Sequence, residues 1–297
     1  MKQFLHKIVK LIIIPMIIFG LSFLGFVLVV SNISSPPELN QNITEIYIGD
    51  SHIRHSIDDS IIENGKNVAL NSESYYFSYY KLKQILGNEE IRNVTLGFSY
   101  HNLSSYYDRF IFGDYSKSVS PPYFYILPFK EQLKLIFING TDFHFVVDLI
   151  KIGFKMLLSK DKPYIGNFIN RFSNTSAVKS SMDKRIDFQY YNDGKLNGFS
   201  ELNLEYLEKI IHLCNKNKVK LSLMNTPLFD YYESKVPEEF KTKLQYFIDN
   251  NQINHIDLSK ELTSKIYFIP DGDHLSSDGA NILSKKLNIL RRPQKEL

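Results

Sequence analysis

Twenty consecutive residues, Leu11 to Val30, carry no charge. A helix of that length is about 30 Å long, the thickness of a bilayer's hydrocarbon core. Pro15 and Gly20 interrupt the run, which membrane helices tolerate. A cleaved signal peptide would have an apolar core of only about 7–15 residues and a small-residue cleavage site. Val29-Val30-Ser31-Asn32 is a poor site of that kind. Lys2, His6, Lys7 and Lys10 precede the run with no acid among them. The expectation is an uncleaved, single-pass anchor at residues 1–30, with its basic flank cytoplasmic and the remainder on the outer side of the plasma (inner) membrane. Residues 31–43 are polar and contain Pro36-Pro37, which reads as a stiff linker.

From residue 44 to 297 strand-like and helix-like patterns alternate. Strands are predicted at Glu45–Ile48, Asn67–Leu70, Ile91–Leu96, Lys220–Met224 and Ile253–Asp257. Helices are predicted at Ser56–Asn64, Ser72–Leu86, Leu202–Asn215 and Asp278–Leu290. In the first, Ser56 or Asp58 would be the N-cap and Gly65 the stop. This rhythm predicts an α/β fold, a three-layer α/β/α sandwich around a mainly parallel five-stranded sheet. Right-handed crossovers gather the strand C-termini on one edge, where sites of open α/β sheets lie. An insertion at about 113–200 breaks the rhythm. Its first part is rich in aromatic and aliphatic residues and reads as helical, packed on the core or facing a membrane or partner. Residues 173–198 are polar and read as a long loop.

Composition narrows the function. Basic and acidic residues nearly balance, 35 against 32, without the concentrated basic face of a nucleic-acid binder. The single cysteine, Cys214, rules out an intramolecular disulfide framework or a Cys-rich zinc site.

Two short motifs carry chemistry. Ile46-Tyr47-Ile48 runs straight into Gly49-Asp50-Ser51-His52, presenting a serine at a strand end. A serine hydroxyl is a weak nucleophile until a base takes its proton. Far downstream, Asp271-Gly272-Asp273-His274 lies just before the final predicted helix. A carboxylate three residues ahead of a histidine on a turn can hold Nδ1 and leave Nε2 for the serine, the division of labour in a Ser-His-acid triad. Either Asp271 or Asp273 could be that carboxylate, the other capping the turn. Asp50, His52, His55, His101, Asp273 and His274 are also possible metal ligands. The acyl-transfer reading needs no metal and no cofactor.

On these residues the sequence resembles the SGNH (GDSL-like) hydrolase superfamily, over roughly residues 44–110 and 200–290. The resemblance implies a flavodoxin-like sheet, with Ser51 as nucleophile, His274 as base and Asp271 as its orienting acid. That family has a glycine after its second strand and Gly-x-Asn after its third. Here the corresponding stretches are Ala69-Leu70-Asn71-Ser72 and Gly97-Phe98-Ser99-Tyr100-His101-Asn102, with the asparagine displaced. Ser51, Asn71, Ser72, Ser99 and Asn102 are the candidate oxyanion donors. His52, Arg54, His55 and His101 are expected around the rim of the substrate site.

The arrangement of an anchor plus an outward-facing domain is similar to that of alginate O-acetylation factors and teichoic-acid D-alanylation accessory proteins. The similarity implies an acyltransferase or esterase acting on O-acyl groups of a cell-envelope or secreted polysaccharide, working beside a membrane-bound O-acyltransferase. Two other readings of the residues are a non-catalytic anchored assembly subunit and a metallohydrolase.

Overall fold

The computed structural model describes residues 2–33, 39, 42–87, 90–159, 165–170 and 174–291. In chain order, helix α1 (Lys2–Ile33) comes first. Strand β1 (Glu45–Ile48), helix α2 (Ser51–Ser56), β2 (Gly65–Asn67), α3 (Tyr75–Leu86) and β3 (Asn93–Gly97) follow. Two short helices, α4 (Asp108–Ile111) and α5 (Ser116–Val119), precede the longer α6 (Phe129–Asn139) and α7 (Phe143–Ser159). Helix α8 (Lys179–Tyr190) leads into a small antiparallel hairpin, β4 (Tyr191–Asn192) and β5 (Lys195–Leu196). The last stretch runs α9 (Glu201–Lys216), β6 (Lys220–Asn225), α10 (Asp230–Lys235), α11 (Glu238–Asn251), β7 (Asn254–Asp257) and α12 (Ser277–Arg291).

The chain forms two compact units, Met1–Pro36 with Pro121–Pro163, and Pro37–Ser120 with Tyr164–Leu297. The segment expected as one insertion at about 113–200 is thus shared between them. Most of the linker expected at 31–43 lies outside the described residues, and 31–33 continue α1.

In the smaller unit, α1 is long and apolar enough to cross a membrane over Lys7–Ile33, and only 11% of its most apolar stretch is buried. Length and composition suit either a membrane anchor or a signal sequence. The α1 residues Val27 and Val30 are covered, and α7 and the 3₁₀ turns of Pro121–Ile126 pack against the helix.

The larger unit is built on a five-stranded sheet of order β2-β1-β3-β6-β7, with every pair parallel. This is the predicted α/β architecture. The chain starts at an interior strand, steps outward to β2, then crosses back to β3, so the strand order reverses between β1 and β3. In such sheets that reversal opens a crevice at the strand C-termini. Helix α3 packs on α9, and α12 on α2. Right-handed crossovers assign these pairs to opposite faces. Strand β1 (Glu-Ile-Tyr-Ile) is buried throughout, as a central parallel strand must be. Tyr47, Ile53, Ile57, Met224, Phe268, Leu275, Leu283 and Leu287 form one core cluster beneath it.

Local details differ from the sequence expectation where side chains compete with backbone. The helix predicted at Ser56–Asn64 does not form: residues 57–64 are turns, and α2 lies ahead of them at Ser51–Ser56 because Asp50 is its N-cap, Oδ1 accepting from the His52 N–H at 2.9 Å. Asp58 caps only a turn, accepting from the Ser60 N–H at 3.0 Å. Strand β2 lies earlier than the predicted 67–70, yet Val68 N and Leu70 N still donate to Tyr47 O (2.8 Å) and Gly49 O (3.1 Å). Within the stretch 173–198 expected as a long loop, the described residues include α8 and the β4–β5 hairpin. Their polar composition hides Met182, Ile186 and Tyr190, spaced four apart and buried as the inner face of α8. Helix α11, between the fourth and fifth predicted strands, was not predicted.

A buried ion pair fixes the loop after β2. Lys81 and Glu73 are both fully buried and salt-bridged. Lys81 Nζ also donates to Ile165 O at 2.9 Å and to Val68 O, while Glu73 accepts from Ser78 Oγ (2.7 Å) and Leu70 N (3.1 Å). Lys81→Met strands the Glu73 carboxylate away from water. The expected loss is about 3–5 kcal/mol, read as a lower denaturant midpoint. An unchanged midpoint would show that Glu73 finds another partner or a proton at little cost.

Candidate active site

Gly49 ends β1 with φ of 140°, a backbone region that side-chain-bearing residues rarely adopt. Opposite it, a Cβ on Gly97 would lie 2.7 Å from Ile53 Cγ1. The two glycines let the ends of β1 and β3 close on the first turn of α2. Ser51 is thereby delivered at the sheet edge, half-buried, as the first residue of that helix.

The turn before α12 arrives at the same place. His274 Nε2 lies 2.7 Å from Ser51 Oγ, and its Nδ1 lies 2.8 Å from Asp271 Oδ2. Asp271 Oδ1 also accepts from the His274 backbone N–H at 3.2 Å. The structure therefore brings Ser51, His274 and Asp271 into one hydrogen-bonded line.

The two neighbouring aspartates are placed differently. Asp271 is 21% exposed, whereas Asp273 is fully buried with Oδ1 3.1 Å from His274 Nδ1. Asp273 Oδ2 is held from three sides: Arg185 Nε at 2.7 Å, Gln189 Nε2 at 3.0 Å and His52 Nε2 at 3.2 Å. Burial disfavours the His274 imidazolium, but the charges of Asp273 and Asp271 outweigh it and raise the pKa to about 9. Burial also works against the Asp273 carboxylate. The Arg185 guanidinium and His274 overcome it and hold the group well below the usual carboxylate range.

A second buried cluster sits under Ser51 and centres on Asp50. Its Oδ2 accepts from His101 Nε2 (2.7 Å), Asn102 Nδ2 (2.9 Å) and the Tyr107 hydroxyl. Burial opposes the Asp50 charge, yet His101, His52 and these hydrogen bonds keep it ionised far below the ordinary range. Burial and the neighbouring His52 push His101 down to about 4 against the pull of Asp50, so it is neutral at pH 7 and donates Nε2–H. The His52 ring stacks on His101 at 4.0 Å and lies 4.7 Å from His274, linking the two clusters.

The four residues expected around the rim are all buried instead. Because α2 begins at Ser51, its next residues turn into the fold. His52 and His101 join the aspartate clusters. Arg54, 9% exposed, binds Asn167 through the backbone oxygen (3.3 Å) and Oδ1 (3.2 Å). His55 bridges Ile169 O (2.9 Å) and Asn71 Oδ1 (3.0 Å) while its ring edge meets His274.

The oxyanion candidates also separate. The Asn102 amide is committed to Asp50 and, at 3.1 Å, to the Tyr107 hydroxyl. Ser99 is buried, and its N–H donates to Asn102 Oδ1 at 2.8 Å. Both serve the cluster beneath the serine. Ser51 and Asn71 are accessible, Asn71 being exposed beside His55. Ser72 is half-buried, with φ of 57°. Arg185, Gln189 and Tyr107 escaped the sequence reading. The four-residue spacing of Met182, Ile186 and Tyr190 was the signal that could have revealed α8, and with it Arg185.

His52, Asp273 and His274 place one ligand atom each within 4.8 Å of one another. That spacing alone would suit a cation. However, Asp273 Oδ2 already takes a guanidinium and His274 Nδ1 an aspartate, so a divalent ion would have to displace Arg185 against its charge.

No protein-family model and no curated protein matches this chain. Among solved structures it is similar to a candidate platelet activating factor from Streptococcus pneumonia, at 11% identity over 90% of this chain and 91% of that one, TM-score 0.43. It is also similar to a GDSL-like lipase from Bacteroides thetaiotaomicron, at 7% identity over 90% and 97% of the two chains, TM-score 0.39. A third likeness is to a candidate acylhydrolase from Bacteroides fragilis, at 9% identity over 88% and 92%, TM-score 0.37.

Proposed function

We propose that this protein is a membrane-anchored serine acyltransferase or esterase of the SGNH type. Its substrates on this reading are O-acyl groups of a cell-envelope or secreted polysaccharide on the outer side of the membrane. The observation that carries the proposal is the line Ser51 Oγ, His274, Asp271, with spacings of 2.7 and 2.8 Å. Its position at the reversal of strand order supports the same reading.

In the first half-reaction Ser51 Oγ attacks the acyl carbonyl carbon while its proton passes to His274 Nε2. Asp271 holds Nδ1–H and offsets the imidazolium charge. The Ser51 N–H and the Asn71 amide are the donors we assign to the oxyanion. Collapse breaks the bond to the leaving alkoxide, which takes the proton from His274, and the acyl group remains on Ser51 as an ester. A sugar hydroxyl or water then attacks that ester with His274 as base. Transfer and hydrolysis differ only in which of the two reaches the acyl-enzyme. A membrane-bound O-acyltransferase is the partner this scheme calls for, since something must bring acyl groups across the membrane.

The test uses the full chain in detergent or vesicles with an isotope-labelled acetyl ester and a de-acetylated polysaccharide. Label on the polymer supports transfer, and free labelled acetate supports hydrolysis. Neither product, together with no fluorophosphonate labelling, returns the reading to a non-catalytic assembly subunit. Retention of activity in chelator is expected.

A further inference from the structure

We propose that the smaller unit is sunk into the membrane surface at the C-terminal end of α1, where α6 and α7 present an apolar face to lipid. The inference rests on the reading of α1 as a membrane-spanning helix.

Depth carries the argument. Along most of α1 the side chains are bare: Leu11 is 78% exposed, Met16 66% and Leu21 66%. Burial begins only near the helix end, at Val27 and Val30. The Phe154 ring of α7 lies 5.1 Å from that of Phe26. A Cβ on Gly153 would come within 2.6 Å of Phe26 Cζ, so the α7 backbone itself rests on that ring. Phe26 is four residues before Val30, the end of the uncharged run, or about 6 Å inside it. Any group touching Phe26 shares its depth. Interfacial helices bury their apolar faces about 5–10 Å into the boundary of headgroups and acyl chains. Helix α6 lies slightly higher, since Gln132 Nε2 donates to Ser31 Oγ at 2.8 Å.

The exposed side chains suit that level. On α6, Phe129, Leu133 and Phe137 recur every four residues, and Phe137 is 91% exposed. On α7, Phe154 and Leu158 recur in the same way, and Leu158 is 81% exposed. A face of this kind in water would be an aggregation liability. Lys130, Lys134, Lys151 and Lys155 are interleaved and exposed, long enough to reach the headgroups. A protein partner would also cover apolar side chains, but the contact with Phe26 requires lipid depth whatever the partner.

The chain contains no tryptophan, so single replacements are clean reporters. Full-length F19W, F137W, L158W and Y246W proteins are reconstituted into phosphatidylcholine vesicles with a minority of phosphatidylglycerol. Lipids brominated at shallow acyl positions quench tryptophans near the headgroups, and lipids brominated at deep positions quench those near the bilayer middle. F137W and L158W are expected to lose fluorescence severalfold with the shallow bromines and F19W, near the middle of the uncharged run, with the deep ones, while Y246W, at an exposed position of the larger unit, keeps its emission. Quenching of F19W without quenching of F137W and L158W overturns the docking surface but leaves the anchor standing. No quenching of F19W overturns the anchor, and the docking surface with it.

Discussion

Ser51→Ala is expected to abolish fluorophosphonate labelling and to lower acetyl-ester turnover by about 10³–10⁶-fold. The proposed chemistry has one covalent step, attack by Ser51 Oγ on the acyl carbon. Without that oxygen, His274 has no proton to take and the oxyanion donors have no tetrahedral species to hold. What survives is the residual effect of binding and polarisation. The substitution removes one oxygen from a half-buried side chain whose recorded partner is His274 Nε2. Folding should therefore be nearly untouched, within about 0.5 kcal/mol. Labelling is read by mass on the intact protein, and stability by thermal melting of the same preparation. Undiminished labelling in the variant would sink the assignment of the nucleophile, because a label elsewhere means that another group reacts. A variant that melts far below wild type would show that the Ser51–His274 contact is chiefly structural.

The second large effect separates the two aspartates. Asp271→Asn should lower the plateau of kcat by about 10⁴-fold, because a neutral amide neither selects the productive tautomer of His274 nor balances its positive charge. Asp273→Asn should act mainly on pH dependence. With the His274 pKa raised to about 9, the base carries a proton at neutral pH, and kcat/KM of wild type should climb as pH rises towards about 9. Removing the Asp273 charge takes away attraction for the imidazolium and exposes it to Arg185. Both changes lower the His274 pKa, so the limb moves to lower pH by roughly one to three pH units. The fraction of plateau activity available at pH 7 rises accordingly. Full pH profiles of the three proteins decide the matter. A limb that stays in place in Asp273→Asn, with a lowered plateau, would hand the orienting role to Asp273. Arg185 loses its partner in this variant, so the profiles are taken well below its melting temperature.

Much of the fold was legible along the chain because each signal was local. Apolar runs bounded by turn residues marked the strands, and the spacing of Leu204, Leu207, Ile210, Ile211 and Cys214 marked the helix that became α9. The weaker expectations failed where a polar side chain did the work of backbone. Asp50 capped a helix at Ser51–Ser56, ahead of the stretch read as helical, and Asn67 bound Ile53 O and Ile57 O beside the shortened β2. Helix α8 was hidden because its exposed face is strongly polar and its buried face narrow.

By itself the sequence determined that a long uncharged segment precedes an alternating α/β domain, and that a serine and an Asp-x-x-His turn terminate elements far apart in the chain. Those are statements about composition, period and spacing, and they survive any packing. Only the tertiary structure decided which groups meet. Ser51 and His274 are brought to 2.7 Å by the order of parallel strands and not by any local pattern. Likewise, His52 is buried beside Asp273 because Asp50 caps α2 at Ser51, and His101 because its Nε2–H reaches Asp50 Oδ2 from the turn after β3. Asp271 and Asp273 are two positions apart on one turn, and their difference lies in Arg185 and Gln189, brought to one of them by α8. Electrostatic environment is a property of three-dimensional neighbours, so identical side chains two positions apart acquired different partners.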